Sequence, residues 1–174
     1  AEEDLKYPGH TLKRGDFFDV LEVRKLGATI KVLPVFGWAS WIKFVDGEKS
    51  PVYATKNRSE VPTADLQWNG DTPPAANECI NMVVVVEGQP WPYLFVLKRT
   101  ALEAFERVIG PMESRRGLMG RGPGMYELGN KDAVGTQGKA KGKPYKRLTA
   151  RFCGEPTPEM LAMASTIREQ IGMV

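Results

Sequence analysis

Residues 79–99 read CINMVVVVEGQPWPYLFVLKR. Two apolar runs flank a Gly-Gln-Pro turn; the first contains four successive valines, and the second contains tyrosine, phenylalanine, valine and two leucines. β-Branched and aromatic side chains favour strands, whereas glycine and proline favour the turn between them. The stretch therefore predicts two successive strands. Because these are the most hydrophobic strands of the chain, we expect both to be central in a sheet.

Further strands are predicted on the N-terminal side of this pair. They lie at 16–25, 28–36, 41–45 and 51–54. Gly37-Trp38 interrupts the apolar pattern, so we expect the second strand to end there. Residues 55–77 are polar and rich in Pro, Asn and Asp, which predicts a long connection before the next strand.

Two helices and one more strand pair are predicted on the C-terminal side. Thr100-Ala-Leu-Glu103 has the pattern of a capping box and predicts a helix that Gly110-Pro111 ends. A short strand at 125–128 precedes a flexible basic loop at 129–143, and a final strand begins at Pro144. Thr157 before Pro158 and Glu159 predicts the N-terminus of a last helix, over 157–172.

These elements predict one domain that spans residues 1–174, with residues 1–10 as an N-terminal arm. A chain of 174 residues is long enough for one hydrophobic core and too short for two comfortable ones. The predicted class is mainly β (α+β), with one inserted helix and a C-terminal helix.

The charge of the chain is unevenly distributed. Residues 115–151 contain ten basic residues and two acidic ones, whereas the rest contains 14 basic and 19 acidic residues. A cationic block on an acidic body favours a polyanionic partner. The alternative is a solvated loop whose charges only aid solubility.

The sequence offers little for catalysis or metal binding. His10 is the single histidine and has no cysteine or carboxylate at metal-ligand spacing, so neither a zinc site nor a nucleophilic triad is indicated. The glycines at 120–124 fit neither a dinucleotide fingerprint nor a phosphate loop. We therefore expect no enzyme activity, no catalytic residue, no bound metal and no cofactor.

The final strand carries the strongest local signal for binding. Its alternation places Leu148, Ala150 and Phe152 on one face, and Tyr145, Arg147, Thr149 and Arg151 on the other. Cations on that second face can contact phosphates, and rings or guanidinium groups can stack on bases. With peripheral aromatics and the basic loop, the predicted nucleic-acid-binding residues are Trp38, Trp41, Lys43, Tyr53, Lys56, Arg58, Arg121, Lys139, Lys141, Lys143, Tyr145, Arg147 and Arg151.

In texture the chain resembles the small single-stranded DNA-binding proteins of bacteriophages. The features that carry the resemblance are the strand and helix unit 92–107, the glycine and lysine loop, and Pro144-Tyr-Lys-Arg-Leu-Thr-Ala-Arg-Phe152. The order of elements also resembles an OB-fold. The resemblance implies an OB-like, five- to seven-stranded, partly open barrel that coats single-stranded DNA during replication or recombination, in the host cytoplasm if phage-encoded.

A structural or assembly protein, such as a virion component or an adaptor, is the alternative. It would use the same basic loop and aromatics for protein contacts. The chain has no run of about 18 apolar residues and no charged-then-apolar leader, so we expect neither membrane insertion nor export. Cys79 and Cys153 are too few for a disulfide framework and suit a reducing cytosol. Single-stranded nucleic acid, DNA before RNA, is the expected partner, and a homo-oligomer is left open.

Overall fold

The computed structural model describes residues 15–45, 50–70, 72–136 and 141–172, together with the backbone of 5–7 and 10–12. These residues form mainly antiparallel β-structure. The strands are β1 (Leu5–Tyr7), β2 (His10–Leu12), β3 (Phe17–Asp19), β4 (Arg24–Gly27), β5 (Ile30–Lys43), β6 (Tyr53–Thr55), β7 (Ala76–Val86), β8 (Pro92–Lys98), β9 (Met125–Val134) and β10 (Pro144–Gly154). The α-helices are α1 (Leu102–Ala104), α2 (Gly110–Leu118) and α3 (Pro158–Gln170), and short 3-10 turns lie at Arg58–Glu60, Thr63–Leu66 and Arg99–Ala101.

A six-stranded sheet with the order β10-β9-β5-β7-β8 dominates the fold, and β6 pairs with β5 beside that path. β7 pairs with β5 along most of its length. The opposite edge of β5 pairs with β9 at Ile30–Val32 and with β6 at Trp41–Lys43. In the described ranges the strand order does not close on itself, so the sheet is open. Two small hairpins, β1–β2 and β3–β4, accompany it.

The prediction that both strands of the 79–99 stretch are central is correct for β7 and wrong for β8. β8 pairs with β7 alone and forms an edge of the sheet. β8 is also covered on one face only. Leu97 is buried on that face, whereas Leu94 and Val96 on the other face are 55% and 46% exposed. Hydrophobicity indicated a strand, but it could not indicate that only one face of that strand is covered.

β5 continues through Gly37-Trp38, where the sequence predicted a break. A register shift between Pro34 and Phe36 forms a bulge that accommodates the proline, which has no N–H to donate. Gly37 then passes so close to β7 that a Cβ atom would lie 3.0 Å from the carbonyl oxygen of Asn81. The glycine therefore permits close approach of two strands, and does not end one.

The sheet is buried on both faces around residues 82–86 of β7. Met82, Val84 and Val86 pack on one face against the helical segment 99–118, which we call the α2 face. Val83 and Val85 point to the other face, the α3 face, where Val85 joins Leu33, Val35 and Met125 beneath Met160, Ala164 and Ile167 of α3. Thr157 caps α3 as predicted, since its side chain accepts a hydrogen bond from the Met160 N–H.

The first helical segment is longer than predicted. Gly110-Pro111 does not end it, because a π turn at Phe105–Ile109 lets the Gly110 N–H donate to the Phe105 carbonyl. Pro111 then lies in the first turn of α2, where its missing N–H is not required. The predicted capping box is also absent. Thr100 lies inside the 3-10 turn Arg99–Ala101 and is not the N-cap residue. The residues at the N-cap positions of this turn and of α1 are Lys98 and Ala101, and neither makes a side-chain cap.

β9 extends to Val134, so the predicted basic loop at 129–143 is wrong for its first six residues. Asn130 and Lys131 pair in register with Leu148 and Arg147 of β10. The outward side chains of this part are polar, and the sequence therefore lacked the apolar alternation that indicates a strand. Lys146 and Asp132, directly opposite each other, form a 2.8 Å ion pair instead.

Tyr126 fixes α2 to the sheet. It is fully buried in β9, and its hydroxyl donates to Glu113 Oε1 at 2.6 Å. The Gly124 N–H donates to the same oxygen at 2.9 Å. Burial and this hydrogen bond raise the pKa of Tyr126 far above its ordinary value. No helix in the described ranges is long and apolar enough to span a membrane.

We predict that Tyr126→Phe lowers the free energy of unfolding by about 1–3 kcal/mol, because it leaves the Glu113 carboxylate without its buried donor. Urea unfolding followed by circular dichroism measures the loss. Tyr145→Phe is the matched control, since Tyr145 is only half-buried on β10. Equal losses in the two variants would contradict the anchoring role.

Candidate nucleic-acid interface

α3 covers only one end of its face of the sheet. The register of β5, β7 and β8 aligns side chains in three rows on the same face, of which the first still packs against the α3 core through Phe36 and Val83 and the other two lie further from it. The rows are Phe36–Val83–Leu94, Trp38–Asn81–Val96 and Ser40–Cys79–Lys98. We call this region the open face. Its middle strand is buried at Asn81 and Cys79, whereas Leu94, Val96 and Lys98 are exposed.

An aromatic pair forms one side of the open face. Phe36 and Trp38 alternate along β5, so both rings project to the same side. Their centroids lie 5.5 Å apart with an interplanar angle of 21°, which is a stacked arrangement. The Lys56 ammonium lies 5.0 Å from the Trp38 ring centroid. A flat ligand that stacks on the Trp38 ring would have to displace the Lys56 ammonium, which then lies close enough to contact a negative charge on that ligand.

The Asn81 amide lies in the row of Trp38. Its Nδ2 donates to Ser40 Oγ at 2.7 Å and to the Trp38 carbonyl at 3.4 Å. These two acceptors orient the amide, because only the nitrogen can donate to a carbonyl. The Oδ1 atom makes no hydrogen bond that involves the part of the chain the structure describes. It is therefore available to accept a hydrogen bond from a bound base.

Basic side chains surround the open face. Lys98 ends the row that contains Cys79, and the Arg99 Nε atom donates to Asn77 Oδ1 at 3.0 Å. Arg99 has a φ of 53°, a left-handed conformation that a residue with a side chain adopts at a cost. Arg58 is exposed in the 3-10 turn that follows Lys56. The cations thus lie at the margin and the aromatic pair within it.

Three predicted binding residues belong to packing on the opposite side of the sheet. Trp41 is only 8% exposed and forms a small core with Val61 and Ala76, so its predicted role as a stacking platform is wrong. Lys43 Nζ binds both carboxylate oxygens of Asp65, at 2.8 and 3.0 Å. The Tyr53 hydroxyl donates to Asp65 at 2.9 Å. These contacts attach the predicted connection, 55–77, to the sheet.

The charges of this cluster stabilise one another. The Lys43 ammonium holds the pKa of Asp65 below its ordinary value of 3.8, and the Tyr53 hydroxyl acts in the same direction. Burial, together with the bond to Asp65, raises the pKa of Tyr53 to about 12. Lys43 and Tyr53 therefore attach the 55–77 connection to the sheet, and they are not part of the candidate interface.

The predicted arginines on β10 have carboxylate partners. Arg147 pairs with Glu103 of α1, and Arg151 Nη2 lies 3.0 Å from Glu127 Oε1. The Glu127 carboxylate raises the pKa of Arg151. A phosphate would have to compete with these carboxylates, which weakens the case for β10 as the main contact. The opposite face is as predicted, since Leu148, Ala150 and Phe152 pack against the core.

Other predicted residues of this region remain accessible. Arg121, Lys141 and Lys143 are exposed, and Tyr145 is half-buried. Lys139 lies outside the described residues. Arg116, part of the cationic block, is 4% exposed and pairs with Glu155 at 2.5 Å. The exposed cations of this region are therefore fewer than the sequence indicates.

The hairpin end of β9 and β10 is far from the open face. β9 pairs with β5 so that Leu128 lies opposite Ile30, and the two strands run in opposite directions. Trp38 lies eight residues beyond Ile30, and Val134 lies six residues beyond Leu128 in the other direction. At about 3.3 Å per residue, the two positions are roughly 46 Å apart along the strands. The predicted binding residues thus do not form one surface, and Arg121, which precedes Met125 at the other end of β9, belongs to neither of these two places.

Sequence reasoning missed Phe36, Asn81 and Val96, and it considered Lys98 only as one of the basic residues near the aromatics. Alternation along 92–98 could have separated Leu94, Val96 and Lys98 from the buried side, but it could not indicate which side is exposed. The register with β7 and β5 depends on pairing between segments distant in sequence. Among the described side chains, no three His, Cys, Asp or Glu residues cluster closely enough to hold a metal ion.

Comparison with known proteins finds no matching family model, no similar curated protein and no similar solved structure.

We predict that Asp65→Asn makes stability less dependent on acid pH. Because the folded pKa of Asp65 is lowered, its contribution is fully present above the ordinary value of 3.8 and is lost as the pH falls below it. The free energy of unfolding, measured with urea, should therefore be higher for wild type than for the variant at about pH 6. At about pH 3 the two values should be nearly equal. Asp132→Asn, at an exposed ion pair, should show little difference at either pH. If the difference in free energy of unfolding between wild type and Asp65→Asn is the same at both pH values, the pKa of Asp65 is not lowered in the folded state.

Proposed function

We propose that this protein binds single-stranded nucleic acid through the open face, with little sequence preference and with DNA favoured over RNA. The observation that carries the proposal is the stacked Phe36–Trp38 pair with Lys56 against it. Every base has a π-face, so stacking on such a pair does not require a particular sequence. The preference for DNA comes from the sequence resemblance alone.

The geometry favours unpaired bases over duplex. In a duplex the π-faces are covered by neighbouring bases, and only an unstacked base can lie against Trp38. Each stacked base contributes about 1–3 kcal/mol. The Asn81 Oδ1 atom can accept a hydrogen bond from any base that presents an N–H, which supports binding without strong selection among bases.

Phosphate contacts complete the proposed site. Lys56, Arg58, Lys98 and Arg99 can contact the backbone of a strand at the margin of the open face. Lys141 and Lys143 provide a second cationic region at the hairpin end, Arg121 lies apart from it at the other end of β9, and Arg147 and Arg151 would join a phosphate contact only by leaving their glutamates. At roughly 3.4 Å per stacked nucleotide, the 46 Å between the two regions corresponds to about 14 nucleotides. A long strand can therefore contact both regions, and a short one cannot.

The OB-like interpretation of the fold belongs to the same proposal. An antiparallel sheet with a helical segment between β8 and β9 supports it. A partly open barrel would coat exposed strands during replication or recombination, in the host cytoplasm if the protein is phage-encoded.

A structural or assembly function is the second candidate. The exposed apolar residues Leu94 and Val96 on an edge strand favour it, since contiguous apolar surface is common at protein interfaces. In that case the protein would bind oligonucleotides no more tightly than it binds other polyanions.

We predict that Trp38→Ala weakens binding of oligo-dT by roughly 5- to 150-fold, because it removes a stacking contact worth about 1–3 kcal/mol. Fluorescence titration measures the affinity, and the quenching on saturation should also fall. Trp91→Ala is the matched control, since Trp91 is 41% exposed and also lies near a cation, Arg24, but is outside the open face. Tighter binding of duplex than of oligo-dT by wild type would exclude the single-strand proposal.

We predict that the cations at the hairpin end contribute to the binding of long oligonucleotides only, whereas the cations near Trp38 contribute to the binding of short ones as well. Lys141→Ala/Lys143→Ala should flatten the plot of log affinity against log salt by about 0.7 per lost contact for oligo-dT of about 20 nucleotides. The slope for oligo-dT of about 5 nucleotides should not change, because such a strand does not reach from Trp38 to the hairpin. Lys56→Gln should instead weaken the binding of oligo-dT of both lengths. A slope that falls equally for both lengths would contradict the two-region arrangement.

A further inference from the structure

The two edge strands of the main sheet differ in how their edges are protected. β10 carries Lys146, Arg147 and Arg151 and lies against the helical segment 99–118. β8 carries one charge, Lys98, and in the described ranges pairs with β7 alone. Charged side chains and covering elements are the usual protection of a sheet edge against pairing with another chain. The β3–β4 hairpin contacts side chains on the α2 face of β8, where Phe17 stacks on Phe95 and the Tyr93 hydroxyl donates to Asp19, but in the described ranges it forms no ladder with the β8 edge.

The sequence of β8 indicates which backbone groups face outward. Proline in a sheet is tolerated where its nitrogen faces away from the neighbouring strand. Pro92 begins β8 opposite Val85 of β7. The N–H and C=O groups of Leu94 and Val96, which alternate with Pro92, therefore also point away from β7. A further strand can pair with these groups.

We infer that β8 pairs with β8 of a second copy of this chain, antiparallel and about a two-fold axis at Phe95. This register places Leu94 opposite Val96 of the partner subunit, and the reverse. Both side chains lie on the open face, where each is about half exposed in the single chain. An apolar cross-strand pair is thereby formed twice at the centre of the contact.

The same register separates the like charges. Lys98 lies opposite Pro92 of the partner subunit, so the two lysines are six residues apart along the strands. At about 3.3 Å per residue, that separation is roughly 20 Å, which exceeds the Debye length of about 10 Å. The strand is therefore complementary to itself, and this favours a second copy over an unrelated peptide.

The pairing would also join two binding surfaces. In-sheet antiparallel pairing keeps each face of both sheets on the same side. The open faces of the two copies then form one continuous surface, with a Phe36–Trp38 pair near each end. This consequence depends on the proposed function, whereas the pairing itself does not.

Sedimentation of the wild-type chain over a range of concentrations is the first test, with a dimer as the expected result. Val96→Lys should raise the dimer dissociation constant by at least roughly tenfold, because it places a charge in the apolar cross-strand pair. Val134→Lys is the matched control, since Val134 is 59% exposed on β9, far from the edge, and should leave the dimer intact. A wild type that stays monomeric, or a dimer equally weakened by both variants, would overturn the inference.

Disulfide trapping tests the register. Leu94→Cys and Val96→Cys are made separately in a Cys79→Ala/Cys153→Ala background. Opposed residues have Cα atoms about 5.5 Å apart, within disulfide range, whereas residues paired with their own equivalents lie diagonally at about 7–8 Å. A mixture of the two variants should therefore cross-link, and either variant alone should not. Cross-linking of each variant alone to the same extent would overturn the register.

Oligonucleotide binding distinguishes this inference from the proposed function. A monomeric wild type that binds oligo-dT and loses affinity on Trp38→Ala would overturn only the dimer. A trapped dimer that binds no oligonucleotide would support the β8 contact and overturn the proposed nucleic-acid site.

Discussion

The burial of β7 on both faces is the constraint on which the rest of the fold depends. Its run of valines presents apolar side chains alternately to the two sides of the sheet, so neither side can be left to water along its whole length. The helical segment 99–118 and the segment 58–66 cover the α2 face. α3 has 13 residues and, at about 1.5 Å per residue, is roughly 20 Å long. It therefore covers one end of its face, and the open face is what remains.

The acidic residues of the chain are as important to the interface as the basic ones. Glu103, Glu127 and Glu155 each bind an arginine of the cationic block, and Asp65 binds Lys43. A segment that is strongly positive in sequence is thereby partly neutralised in the fold. Exposed cations remain near the open face, as at Lys56, and at the hairpin end of β9 and β10, as at Lys141 and Lys143.

Local patterns predicted the strands and helices well, and failed where pairing decided the outcome. The alternation in 144–152 gave the correct buried face of β10, and Thr157 gave the correct start of α3. Gly37 was interpreted as a break because its role, close approach to Asn81, depends on a strand some forty residues away in sequence. Trp41 was assigned to the surface for the same reason, since the residues that bury it, Val61 and Ala76, come from a connection without a strong pattern. Lys56 and Trp38 were predicted individually, but their contact follows only from the β5–β6 pairing.

The divided edge of β5 has a mechanical consequence. Between the part that pairs with β9 and the part that pairs with β6, residues 33–40 have no strand partner on that edge in the described ranges. The Arg168 guanidinium of α3 donates to the Val35 carbonyl there, at 3.3 and 3.4 Å. Within the backbone ladder of the sheet, β5 alone joins the β9–β10 hairpin to β6, β7 and β8, and it carries the bulge at Pro34–Phe36. The twist of β5 between Val32 and Trp41 therefore relates the direction of the hairpin to that of the aromatic pair, and the bonds from Arg168 attach α3 to this unpaired stretch.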